Sequence, residues 1–323
     1  MESATPHPII AIVGPTASGK SDLALSIAEV FGGEIVNYDS VQIFRHLNIG
    51  TAKPTAEERR RVPHHMIDIR EPTEEFNAGD YQREARAVLE DLRRRGRLPV
   101  LVGGTGLYLR ALIEGLFAGP KRSVQLRSRL ELLSERRGRE YLHRLLQKLD
   151  PVAAGRIMAR DTPKIIRALE VRLETGKTLS DHLAVEPRQP LSGYDIHTIG
   201  LNPPREASVQ RIEDRVRQMF DAGFADEVRC LLDKGVPPSA KPMGAIGYRH
   251  FLENEESGST RDETIGMIQR DTRRYAKRQM TWFRKLPGTI WFDGFGDDPK
   301  IKEEVHRRIQ LLLPRWSQRT TAF

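Results

Sequence analysis

A chain of 323 residues is too long for one small core and suits one large domain with an insertion. Charged residues make up 30% and aromatics 7%, yet 38% hydrophobic residues still build a core, and no run approaches the roughly 18 apolar residues of a membrane span. Residues 1–8 lack the basic-then-apolar order of a secretory signal, and the single Cys230 excludes an intrachain disulfide or a multi-cysteine metal site, so a cytoplasmic protein is expected.

Short apolar runs alternate with helical patterns through the first third, the signature of a parallel α/β sheet. Strands are predicted over 9–13, 34–38, 66–69 and 98–102, with helices over 21–31 and 80–95 between them. Asn77 or Gly79 opens the second helix and Gly96 closes it. The first strand runs into Gly14-Pro15-Thr16-Ala17-Ser18-Gly19-Lys20-Ser21, which fits the P-loop pattern G-x-x-x-x-G-K-[ST] at every fixed position, between a strand and a helix as that motif requires. Its glycines let the backbone N–H groups turn inward, and the following helix N-terminus adds positive potential. Lys20 then meets terminal phosphate oxygens, and Ser21 offers a hydroxyl to Mg²⁺.

The motif alone specifies a diphosphate or triphosphate, not ATP. The strand over 98–102 ends in Gly103-Gly104-Thr105-Gly106, without the acid that usually holds Mg²⁺ in such proteins, which argues against an ordinary NTPase. Asp68, at the end of the third predicted strand, is the alternative acid. Asp39 ends the second strand, where open α/β sheets place their ligands; it reads as a metal ligand, a general base, or a turn-forming partner of Ser40. Thr105 offers either a hydroxyl at a strand end or simply part of a glycine-rich turn. His64 and His65 point to opposite faces of a strand and make a poor metal site.

From 121 to 195 the pattern is wholly helical, and 121–188 hold sixteen Lys/Arg against nine Asp/Glu, nearly all of the chain's net +8. Leu126, Leu130 and Leu133 share one face and Leu142, Leu145, Leu146 and Leu149 another; Thr162-Pro163 starts a helix through Ile166, Leu169 and Leu173 that Gly176 ends. A strand over 196–201 then returns to the sheet, and 289–292 reads as an edge strand. The domains are therefore 1–120 with 196–323, interrupted by a basic insertion over 121–195. Arg211 and Arg215 lie one turn apart, beside the apolar face of Val209, Ile212, Val216 and Met219; they suit a diphosphate, or else pair with Glu213 or Asp214. A second basic run over 270–285 interleaves arginines and lysines with Tyr275, Trp282 and Phe283, which suits either a nucleic acid or a solvated helix face.

Together these pieces resemble the bacterial tRNA dimethylallyltransferases, also called tRNA isopentenylpyrophosphate transferases. The matching stretches, in the family's order, are GPTASGKS at 14–21, DSVQIF at 39–44, IGTAKP at 49–54, PHHMIDI at 63–69, LVGGTGLYLRALIEGL at 101–116, RALE at 167–170, GKTL at 176–179, AIGYR at 245–249 and YAKRQMTWFRK at 275–285. The resemblance implies a P-loop core with a helical insertion, a Mg²⁺ requirement, and transfer of dimethylallyl from its diphosphate to N6 of the adenine 3′-adjacent to the anticodon. It implies Asp39 as general base, Thr105 near the reacting centre, and Arg211 or Arg215 on the diphosphate held by residues 14–21. By the same resemblance Ser40, Val41, Gln42, Arg127, Lys164, Arg167, Ala245, Gly247, Tyr248 and Arg249, with Asp39 and Thr105, fall at tRNA-contacting positions in the anticodon stem-loop complex. Phe44 departs from the family, where Tyr is common, and one cysteine leaves no C-terminal zinc finger of the kind eukaryotic relatives carry. The expected partners are tRNA and dimethylallyl diphosphate, with no membrane, for a monomer. Competing readings are an isopentenyltransferase acting on free adenine nucleotides, which has no use for a +7 insertion, an ATP-dependent small-molecule kinase, and a nucleotide-driven RNA-binding switch.

Overall fold

The computed structural model describes residues 6–117, 119–120, 122–185 and 188–317. Six parallel strands form one sheet in the order β3-β2-β4-β1-β5-β6: β1 (His7–Val13), β2 (Gly33–Asn37), β3 (His64–His65), β4 (Leu98–Val102), β5 (Tyr194–Leu201) and β6 (Ile290–Phe292). β1 lies at the centre, in register with β4 on one side (Ile10 opposite Val100) and β5 on the other (Ile10 opposite His197). Residues 9–13 are buried without a break, which is why that run is continuously apolar instead of alternating. The α/β, P-loop-like parallel core expected from the sequence is the fold observed.

The helices in chain order are α1 (Lys20–Phe31), α2 (Ala56–Arg61), α3 (Ala78–Arg94), α4 (Gly106–Ile113), α5 (Val124–Arg137), α6 (Arg139–Leu149), α7 (Pro151–Arg156), α8 (Thr162–Thr175), α9 (Leu179–Val185), α10 (Arg205–Asp221), α11 (Phe224–Asp233), α12 (Tyr248–Ser257), α13 (Arg261–Phe283), α14 (Pro299–Leu312) and α15 (Pro314–Ser317). Asn77 caps α3, its side chain accepting from the Gly79 and Asp80 amides while Asp80 answers the Asn77 amide. No helix among the described residues is long and apolar enough to cross a membrane.

The chain divides into two compact units, Met1–Leu112 with Ser192–Phe323, and Ile113–Leu191. The first has its core between the sheet and α1 and α14, through Ile10, Ile12, Leu23, Ile27, Val100, Val305 and Ile309. The second closes over Leu130, Leu142, Leu146, Ile165, Ile166 and Leu169, with Leu126, Leu133, Leu145 and Leu149 packed against them. Leu173, expected on the same face, is half exposed. Asp161, not Thr162, occupies the N-cap position of α8, one residue earlier than the sequence suggests.

The third strand differs more. Only His64 and His65 pair with β2, and Met66 and Asp68 take positive φ (62° and 55°), which ends any extended run. The chain turns instead onto the loop after β2, where the Ile69 amide donates to the Ile43 carbonyl and Phe44 bridges to Arg70. Met66 and Ile67 are buried there as loop residues, so their apolar character imitates a strand.

Candidate active site

β1 delivers the phosphate cradle. Gly14 (φ 151°), Ala17 (φ 61°) and Gly19 (φ 79°) curl the backbone into α1, and a Cβ at Gly19 would lie 2.7 Å from the Asp297 amide. Lys20 is buried, and its Nζ donates to the Pro15 carbonyl at 2.6 Å. Burial, reinforced by the Arg215 guanidinium, pushes its ammonium down to about 7, with Asp39 opposing.

Residues 16–22 line a cleft of about 710 Å³, together with Asp39, Gly104, Arg211, Arg215, Tyr275 and Asp297. A second lobe, of about 600 Å³, is lined by Ser40, Val41, Thr105, Ala245, Tyr248, Arg249, Arg274 and Arg278, among others. Thr16, Ala17, Asp39, Thr51, Arg215 and Tyr275 line both lobes, so the two meet at the Asp39 carboxylate and the Arg215 guanidinium. One lobe carries the phosphate cradle; the other is rimmed by arginines.

Asp39 fills the turn role left open by the sequence and keeps its second oxygen toward the cleft. Its Oδ1 accepts from the amides of Val41 (2.9 Å) and Gln42 (3.3 Å), which closes the turn. Its Oδ2 faces Gly104, where a Cβ would fall 2.9 Å from that oxygen and equally close to Gln279 Nε2. Thr105 is bound to the same turn: its Oγ1 accepts from the Ser40 amide (2.9 Å) and donates to Ser40 Oγ (3.0 Å). Gln42 lines the cradle lobe and not the arginine-rimmed one, its Nε2 donating to the carbonyls of Thr51 (3.0 Å) and Ala52 (3.2 Å).

The two arginines of α10 part company. Arg215 Nη1 donates to Thr16 Oγ1 at 3.3 Å, inside the cradle. Arg211 lies 3.6 Å over the Phe295 ring and donates to both oxygens of Asp297, at 2.8 and 2.9 Å. Neither pairs with Glu213 or Asp214; Glu213 is held by Arg273. Asp68, the alternative acid, is taken by Lys53 (2.7 Å) and Arg59 (2.6 Å) and does not line the cradle. His65 pairs with Glu34 at 2.7 Å, and among the described residues no three His, Cys, Asp or Glu side chains gather as a metal site.

Other candidates have structural partners of their own. The Tyr248 ring is fully buried and its hydroxyl donates to Glu227 Oε1 at 2.6 Å, while Gly247 (φ 99°) and the Ala245 turn lead into α12. Arg249 reaches Asp271, as do His250 (3.0 Å), Arg270 and Arg274. In the insertion, Arg167 donates to Glu170 at 2.8 Å and Arg127 lies 3.9 Å from the same carboxylate, which is fully buried. Lys164 pairs with Asp161 and is largely exposed.

Gln279 and Asp297 were not singled out in the sequence, and Tyr275 was read only as an aromatic of the basic run over 270–285. Gln279 lines the cradle lobe, its Oε1 accepting from the Thr16 amide (2.8 Å) and its Nε2 donating to the Gly104 carbonyl (3.0 Å), to which Tyr275 Oη also donates (2.8 Å). Gln279 lies one helical turn from Tyr275 on α13, the signal that could have found it. Asp297 follows an edge strand too short to advertise a site.

A parallel sheet whose central strand feeds this cradle, with a carboxylate beside it at the next strand end, defines a P-loop α/β protein. The IPP transferase family model matches residues 42–286. The chain is similar to the tRNA dimethylallyltransferases of Koribacter versatilis (strain Ellin345), 48% identical over 302 residues (94% of this chain, 98% of that one), and of Solibacter usitatus (strain Ellin6076), 48% identical over 306 residues (95% and 99%). Among solved structures it resembles the full-length tRNA isopentenylpyrophosphate transferase of Bacillus halodurans, with a TM-score of 0.70, 39% identity and coverage of 97% of this chain and 98% of that one. It also resembles a eukaryotic dimethylallyltransferase acting on tRNA, with a TM-score of 0.79, 27% identity and coverage of 94% and 78%. The chain belongs to the IPP transferase family and is, with it, a prenyl-transferring enzyme.

Proposed function

We propose that this enzyme transfers the dimethylallyl group of dimethylallyl diphosphate to N6 of the adenine 3′-adjacent to the anticodon of tRNA. The observation that carries this reading is the meeting of a phosphate cradle and an arginine-rimmed lobe at Asp39. The diphosphate sits in residues 14–21 with Lys20 and Arg215 against its oxygens. The allylic C–O bond breaks, leaving diphosphate, and the allylic carbon bonds to N6. Charge builds on the leaving oxygens, which inward N–H groups and two cations stabilise. The N6 lone pair is drawn into the ring, so the amine must be held against the allylic carbon while Asp39 Oδ2 takes its proton.

The donor set suits Mg²⁺ held mainly through the ligand's own phosphates and water, with the exposed Ser21 hydroxyl as protein ligand. When bound, that cation supplies further neutralisation of the leaving diphosphate. The target base must leave its stack, which a loop permits more readily than a duplex. The arginines of the second lobe and the basic insertion over 121–195 hold RNA phosphates, for a monomer working in the cytoplasm.

Labelled dimethylallyl diphosphate, Mg²⁺ and unmodified tRNA are incubated with the enzyme, in parallel with AMP and with ATP. Label is expected as N6-dimethylallyladenosine in the tRNA digest, with little transfer to AMP and no ATP consumed. Transfer mainly to AMP would move the assignment to free nucleotides, and tRNA-stimulated ATP hydrolysis would move it to an NTPase.

A further inference from the structure

Glu227, on α11, lies outside every motif read from the sequence, yet its carboxylate collects four donors. Oε2 accepts from the amides of Asn48 (2.8 Å) and Ile49 (2.7 Å); Oε1 accepts from the Gly50 amide (3.1 Å) and from Tyr248 Oη (2.6 Å). Three consecutive N–H groups on one anion form a closed backbone nest, with charge-assisted bonds about twice as strong as neutral ones. The approach is so close that a Cβ on Gly50 would fall 2.6 Å from the Phe224 and Tyr248 rings.

The anchored segment is the wall of the cleft. Gly50 and Thr51 line the arginine-rimmed lobe, and Thr51, Ala52, Lys53 and Pro54 line the cradle lobe. From the opposite side Gln42 holds the Thr51 and Ala52 carbonyls, and the Gln42 amide is held by Asp39 Oδ1. A continuous set of bonds thus runs from Tyr248 through Glu227, the wall and Gln42 to Asp39.

We infer that Glu227 is a positioning residue for the transfer reaction, an anionic clamp that fixes the 48–52 wall and through it ties the Tyr248 loop to the Asp39 turn. The inference rests on the function proposed above. Losing the clamp loosens the place where base and allylic carbon must meet, while the cradle's hold on the diphosphate stays as it is. A misplacement on the order of 1 Å at a reacting centre costs up to about 10²-fold in rate.

The test compares wild type with Glu227→Gln, whose amide nitrogen cannot accept and so leaves at least one of the four donors unmatched, and with Tyr248→Phe. For Glu227→Gln the maximal transfer rate is expected to fall about 10-fold or more, while the Kd for inorganic diphosphate stays within about two-fold and hydrogen exchange of the amides at 48–50 accelerates against an unchanged core. Tyr248→Phe, which removes one donor, is expected to give a smaller loss of the same kind. Normal turnover in Glu227→Gln, or unchanged exchange at 48–50, overturns the inference. A uniform fall in melting temperature, diphosphate affinity and core protection also overturns it, in favour of a general stability role. A wild type that transfers nothing to RNA would refute the proposed function, whereas exchange at 48–50 would still decide whether the clamp exists.

Discussion

Lys20 shows how much one buried charge can do. Its ordinary ammonium, near 10.5, is pushed to about 7 by burial and by Arg215. Because the folded value lies below the unfolded one, the unfolded chain binds more protons between about pH 7 and 10.5. The empty protein's stability therefore gains from this group as pH rises through that window. Diphosphate reverses the preference by favouring the ammonium, so binding above pH 7 is expected to take up a proton and affinity to weaken as pH rises. Calorimetry with inorganic diphosphate at pH 8.5, in two buffers of different ionisation enthalpy, is expected to show more proton uptake in wild type than in Lys20→Met, which reports the ligand's own proton change; equal uptake in the two would mean that Lys20 is already charged. Gly104 gives a second prediction at this scale. A methyl there meets Asp39 Oδ2 and Gln279 Nε2 at 2.9 Å, so Gly104→Ala is expected to lower turnover by about 10²-fold. Single-turnover rates check it; near-normal rates would mean that the Asp39 turn can shift freely. Asp39 and the cradle were legible because backbone geometry demands those residue types. Gln279 was not, since a glutamine in a basic helix looks like any solvated polar residue until the fold lays it across two loops.

At the scale of elements, the arginines of α5 and α8 illustrate why a resemblance does not settle a residue's energetics. Arg167 and Arg127 face the buried carboxylate of Glu170, which also accepts from the Ser123 amide at 2.7 Å. Removing Arg167 leaves that charge without its closest cation, and Arg167→Ala is expected to destabilise the insertion by about 3–5 kcal/mol. Lys164, exposed on the same helix, is expected to leave stability unchanged when replaced by alanine and to weaken tRNA binding. Denaturant unfolding and tRNA titration of the two single variants separate these effects; equal stability losses would deny the difference. The leucine faces of α5 and α6 were readable because helical spacing and burial agree. The 66–69 run was misread because Met66 and Ile67 pack as loop residues beneath positive-φ turns, a conformation that apolarity does not signal.

At the scale of the whole molecule, charge separates two tasks. Sixteen of the basic residues lie in 121–188, whereas the cradle belongs to the unit formed by Met1–Leu112 and Ser192–Phe323. The alternation of strand and helix announced that unit, and the change to unbroken helical spacing announced the other. Exposed Arg129 and Arg136 lie seven residues apart, on one face of α5. Replacing both with alanine is expected to flatten the dependence of log tRNA affinity on log salt by roughly 0.7–0.9 for each phosphate no longer neutralised, leaving inorganic diphosphate binding unaltered. An unchanged slope would make that face merely solvated. The proposed chemistry turns on donor and acceptor meeting at Asp39, which takes the N6 proton. The decisive measurement is the single-turnover rate of Asp39→Ala with tRNA and dimethylallyl diphosphate both saturating, beside its affinity for each. A loss of about 10²-fold or more in rate is expected, with tRNA affinity nearly unchanged; a rate close to wild type would refute that role and leave Asp39 a turn residue only.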